Sequence, residues 1–167
     1  KPKKKNQDYL DWTDDVVAAS FPKYNLQLKG EIMLNARSDA DALAANLLCL
    51  HQTGEPITES QVLQVLLSWG WRPSKTRPEL SLPGELPVFS DIFGSYSRRS
   101  TPRCSPATLQ FPYVQSFINA WGKQLAPDGF SWSAFIVNKG IAAPRHRDRA
   151  NHGLTLIKAL GRFEGGQ

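Results

Sequence analysis

Ser131-Trp132-Ser133-Ala134-Phe135-Ile136-Val137-Asn138 is the stretch whose reading decides the fold. Phenylalanine, isoleucine and valine follow one another with little polar alternation, which favours a strand covered on both faces. Asn138-Lys139-Gly140 supplies a turn at its end. After the polar run Pro144–Gly153, Leu154–Leu160 reads as a second strand, ended by Gly161. The last third of the chain is therefore predicted to be β structure.

Upstream the apolar period changes to that of a helix. Val114, Phe117, Ile118, Trp121 and Leu125 recur at helical spacing; Pro112 suits the first turn and Pro127 ends the run. Thr58 and Gln61 form a capping box for a helix over 59–69, with Ile57 and Val62 at the staple positions. Ser38 or Asp39 is placed to cap a third helix running to about Leu50, with Leu43, Ala44, Leu47 and Leu48 on one face. Cys49 lies on that pattern and is expected to be a buried thiol. Leu26, Leu28 and Ile32 share one parity, which predicts an early strand over Leu26–Leu34. Asp8–Pro22 reads as a short helix. The Pro/Ser/Arg-rich connection from Arg72 to Gln110 is expected to hold short strands at Pro87–Phe89 and Phe93–Tyr96, or a mobile lid.

Helices followed by strands imply an α+β fold with a helical layer on a sheet, meeting through Leu47, Leu66, Phe117 and Trp121. The 167 residues, 41% of them hydrophobic, suffice for one domain with a real core. No apolar stretch approaches the roughly 20 residues of a membrane span. The chain opens at Lys1, holds one methionine, Met33, and closes on Gly165-Gly166-Gln167, so it is read as an internal fragment. Residues 1–7 are expected to form a basic disordered tail. Residues 8–167 form part of a single domain, with helical support over about 8–125 and the start of a β core over about 129–167.

Four of the five residues Lys1–Lys5 are lysines, so they account for most of the net charge of +5. The tail is suited to weak nucleic-acid contact; the rest of the chain is nearly neutral. Arg98, Arg99 and Arg103 form a second basic cluster. The five tryptophans are expected in the core rather than as stacking platforms. Two cysteines make no disulfide framework, and nothing requires an oxidising compartment, so an intracellular protein, cytoplasmic or nuclear, is the expectation.

The chemistry-bearing segment is His146-Arg147-Asp148, between the two predicted strands. In extended chain, residues two apart point to one side, so the imidazole and the carboxylate can meet at one metal ion. Iron, manganese or zinc accepts such a pair. The bland alternative is a surface loop in which Asp148 pairs with Arg145, Arg147 or Arg149.

The layout resembles the start of the catalytic core of the iron(II)- and 2-oxoglutarate-dependent dioxygenases, in a prolyl-hydroxylase-like, protist-type branch. Three motifs carry the resemblance: Phe93-Gly94-Ser95-Tyr96-Ser97-Arg98, His146–Asn151 and Gly165-Gly166. It implies N-terminal helices packed on the first strands of a double-stranded β-helix, or jelly-roll, cut short at its C-terminal side. It implies Fe(II) held by His146 and Asp148, with 2-oxoglutarate as cosubstrate and Asn151 and Tyr96 as cofactor-binding groups. It implies hydroxylation of an unidentified substrate by the full-length parent and no turnover by this fragment. The family's distal histidine and its basic residue for the cosubstrate carboxylate have no match here, since His152 and Arg162 come too early.

The rival readings lack their signatures. A protein kinase has an Asn five residues after the Asp of its His-Arg-Asp, where this chain has Gly153, and no glycine-rich phosphate loop precedes the motif. A zinc hydrolase of the His-Glu-x-x-His type is equally unsupported. A non-catalytic basic module that binds nucleic acid or protein is the alternative, though no named nucleic-acid motif occurs.

Overall fold

The computed structural model describes residues 26–72, 89–98, 101–139 and 153–161. Helix α1 spans Leu26–His51 and α2 Glu59–Ser68. Strands β1, Phe89–Arg98, and β2, Thr101–Cys104, follow. A short helix α3, Pro106–Gln110, leads into α4, Pro112–Leu125, and β3 spans Ala134–Lys139. The strands form an antiparallel sheet in the order β2-β1-β3. The coarse α+β expectation holds.

Helix α1 corrects two expectations. It replaces the strand predicted at Leu26–Leu34, and it runs straight through Ser38 and Asp39, which cap nothing. Over this range the two-residue alternation competes with a helical pattern through Met33, Arg37, Ala40, Ala44 and Leu47. The helical pattern prevails because it has surfaces to pack on: α1 lies against both α2 and α4. Ala40 and Ala44 are fully buried, whereas Ile32 and Leu34 face solvent. Cys49 is exposed, not buried. With Leu47 and Leu48 turned to the core, the next residues rotate outward at about 100° each.

Helices α2 and α4 lie where the sequence places them. The Thr58 hydroxyl accepts from the Gln61 amide, and the Gln61 side chain accepts from the Thr58 amide. Ile57 and Val62 are both buried. Val62, Val65, Val114 and Phe117 form the centre of the core, joined at its edge by Leu47, Leu66, Phe135 and Val137. Each such burial contributes roughly 1.5–3 kcal/mol. Trp69 and Trp121 are buried and Trp71 and Trp132 half-buried, as expected of core tryptophans; Trp12 lies outside the described residues.

The sheet owes its shape to Gly94. Phe89–Gly94 pairs with β3, and Ser95–Arg98 pairs with β2, so β1 changes neighbour there. Gly94 has φ +98°, and a Cβ at this position would overlap the Ser133 carbonyl. The Ser95 amide donates to that carbonyl at 2.8 Å, and the Gly94 amide donates to the Thr108 hydroxyl at 2.7 Å. Of the two short strands expected within Arg72–Gln110, Phe93–Tyr96 lies inside the longer β1, while Pro87 and Val88 lie outside the described residues; β2 and α3 follow β1.

Strand β3 turns Phe135 and Val137 toward the helices, while Ile136 is 48% exposed. Among the described residues one face is covered, not both as expected. The second predicted strand is also corrected. Leu154–Leu160 forms no ladder with the described strands, and Leu154 and Ile157 stand more than four-fifths exposed. A strand is made by a neighbour as much as by its own residues, and the neighbour of β3 is β1. Leu160 still packs at the edge of the core, and Lys158 pairs with Glu59 of α2. The described helices include none long and apolar enough to cross a membrane.

Candidate functional site

The densest polar constellation among the described residues joins α1, the end of α2 and β1. Arg37 enters the core from α1 because its position continues the Met33–Ala40 face. Its Nη2 donates to Asp91 Oδ2 at 2.6 Å and its Nε to the Gly70 carbonyl at 2.7 Å. Trp69 Nε1 donates to the same Asp91 oxygen at 2.9 Å. The guanidinium stacks over the Trp69 ring, 4.4 Å from its centroid, and Phe111 closes the cage at 6.0 Å. Gly70 permits this approach, since a Cβ there would overlap the Met33 backbone.

Burial pushes the Arg37 guanidinium below its usual value; the Asp91 charge opposes that shift and Arg72 adds to it. The ion stays charged, because arginine begins so far above neutrality. Asp91 has a guanidinium and an indole on one oxygen, so it is a positioning group rather than a proton-transfer group. Sequence reading passed over both residues. The available signal was an aspartate inside the apolar run Val88–Phe93 and an arginine on the inner face of a helix.

A second long-range contact orders α4. Its N-cap residue, Phe111, offers no side-chain acceptor, and Asp41 of α1 supplies one: its Oδ1 accepts from the Val114 amide at 2.8 Å. Burial raises the Asp41 carboxyl above its ordinary value, while the Val114 and Tyr113 amides pull the other way.

Of the residues expected to bind a metal or cosubstrate, Tyr96 alone is described. It is half-buried on β1 beyond Gly94, opposite exposed Arg103 of β2. His146, Asp148 and Asn151 lie outside the described residues, as do Lys1–Lys5 and Arg99. The chain leaves β3 at Lys139, which pairs with Phe89, seven residues along β1 from Tyr96. At about 3.3 Å per residue that is roughly 23 Å. Seven residues also separate Lys139 from His146, so a site shared by Tyr96 and His146 requires that connection to run nearly straight back along the sheet.

No group of three His, Cys, Asp or Glu side chains comes together among the described residues. His51, at the end of α1, is engaged locally: its Nδ1 donates to the Glu55 carbonyl at 2.7 Å. No protein-family model, curated protein or solved structure matches this chain.

Proposed function

We propose that the chain is part of an Fe(II)- and 2-oxoglutarate-dependent oxygenase domain of jelly-roll type. The observation that carries this reading is His146-Arg147-Asp148 following, in the sequence, the strand β3 of an antiparallel sheet. Among the described residues that sheet has helices on one face, and the face bearing Ile136 is free of them. A jelly-roll puts its second sheet and its metal on the face away from supporting helices.

His146 in its neutral form and ionised Asp148 would hold two adjacent positions of the metal, and the carboxylate would offset part of its charge. Bound iron and keto acid would supply the oxidising chemistry. Asn151 would orient a ligand by hydrogen bonding, and the Tyr96 hydroxyl would reach the cosubstrate if the chain after Lys139 doubles back along β1. A third protein ligand is required. The resemblance assigns that place to a distal histidine, which has no match in this sequence.

The test is anaerobic titration of the protein with Fe(II). Saturable binding that depends on His146 supports the reading. Binding indifferent to both His146 and Asp148, or salt-sensitive binding of nucleic acid without any metal affinity, replaces it with the basic-module alternative.

A further inference from the structure

We infer that the cleft between the end of α1 and the outer face of α4 is a binding site for a small oxyanion ligand, carrying a phosphoryl or a carboxylate group. The cleft is about 570 Å³ and is lined by His51, Ser116, Asn119, Lys123 and Gln124, with Ala120 as its floor. Ser116, Asn119 and Lys123 recur at helical spacing along α4, on a stripe distinct from the buried Val114, Phe117 and Trp121.

Two structural hydrogen bonds decide the polarity of this wall. Trp132 Nε1 donates to Asn119 Oδ1 at 2.9 Å, which fixes the amide with its oxygen toward the indole. The Ile57 amide donates to Gln124 Oε1 at 3.1 Å and fixes the second amide in the same sense. Each bond fixes which branch of the amide is oxygen, so the other branch is an NH₂ group with two donors. The Ser116 hydroxyl and the Lys123 ammonium add further donors, and among the described residues no carboxylate lines the cleft.

His51 is fixed too. The Glu55 carbonyl can only accept, so Nδ1 carries the proton and donates. A wall of donors with the Lys123 ammonium among them complements an oxyanion and disfavours a cation. This inference uses none of the residues of the proposed iron site and stands or falls apart from it.

The experiment titrates the whole protein with inorganic phosphate and, separately, with succinate at constant ionic strength. Trp132, bonded to Asn119, reports through its fluorescence, and calorimetry gives the stoichiometry. Saturable binding of phosphate identifies a phosphoryl ligand, and saturable binding of succinate a carboxylate ligand; either result supports the site. Asn119→Asp and Gln124→Glu are the decisive variants. Each keeps the oxygen that accepts from Trp132 or Ile57, so the fold is retained, but each replaces two donors with an anionic oxygen. Hydrogen bonds to charged groups are worth enough that affinity should fall roughly ten- to hundredfold in each. Lys123→Gln should weaken binding without changing thermal stability. Absence of saturable binding into the millimolar range, or binding unaltered by Asn119→Asp, overturns the inference.

Discussion

Arg37 and Asp91 lie 54 residues apart in sequence, yet their side chains meet at 2.6 Å with 4% and 16% of their side-chain surface exposed. The pair ties the first described helix to the first strand, and through Trp69 and Gly70 it also holds the end of α2. Removing one partner leaves a buried charge without compensation. Asp91→Ala is expected to cost about 3–5 kcal/mol, read as a lowered urea midpoint. The double variant Arg37→Met/Asp91→Leu should recover most of that loss, since an apolar replacement leaves no orphaned ion. A double variant as unstable as Asp91→Ala would mean that the pair is not the seat of the effect.

Asp41 gives a pH dependence with a defined sign. Its carboxyl is raised from the ordinary 3.8, chiefly by burial. A carboxyl that protonates more readily in the folded chain stabilises the fold at acid pH, and that contribution fades as pH rises through the folded value. Asp41→Asn keeps the acceptor for the Val114 amide and removes the titration. Thermal melts should therefore show the stability difference, wild type minus Asp41→Asn, falling as pH is raised from below 3.8 through the mildly acid range. Asp41→Ala also loses the acceptor and should lie about 1 kcal/mol below Asp41→Asn at any pH. A difference that grows with pH would contradict the burial account.

Gly94 is expected to tolerate no side chain. Gly94→Ala places a Cβ against the Ser133 backbone at a φ that L residues rarely adopt. The loss should exceed the roughly 1 kcal/mol of an ordinary glycine substitution and appear as a lower melting temperature. Gly54→Ala makes the comparison: φ is also positive, but nothing lies within 4 Å of the added carbon, so only the backbone strain remains.

The proposed iron site predicts a pattern across one short segment. His146→Ala and Asp148→Ala should each abolish saturable Fe(II) or Co(II) binding, whereas Arg149→Ala should leave it intact. Co(II) absorption spectra check this directly, because an imidazole–carboxylate site gives d–d bands that a surface arginine pair does not. Retained bands in both alanine variants would identify His146-x-Asp148 as a chance spacing.

The sequence by itself determined the elements whose signals are local. The box Thr58–Gln61 starts α2, and Pro112 with the apolar period through Trp121 defines α4. Both rest on residues within a turn or two of each other, so no distant partner is needed. The likeness of His146-Arg147-Asp148 to a metal-binding pair is of the same local kind. The tertiary structure decided whatever depended on a partner far along the chain. It made Leu26–Leu34 part of a helix because α2 and α4 offered that face a surface. It withheld a ladder from Leu154–Leu160 among the described residues and gave β3 to a strand from the Pro/Ser-rich connection. It also assembled Arg37 with Asp91, Asp41 with Val114, and Trp132 with Asn119. None of these pairs has a sequence signature, because a buried polar group is stable only once its partner has been brought to it by the packing of the whole chain.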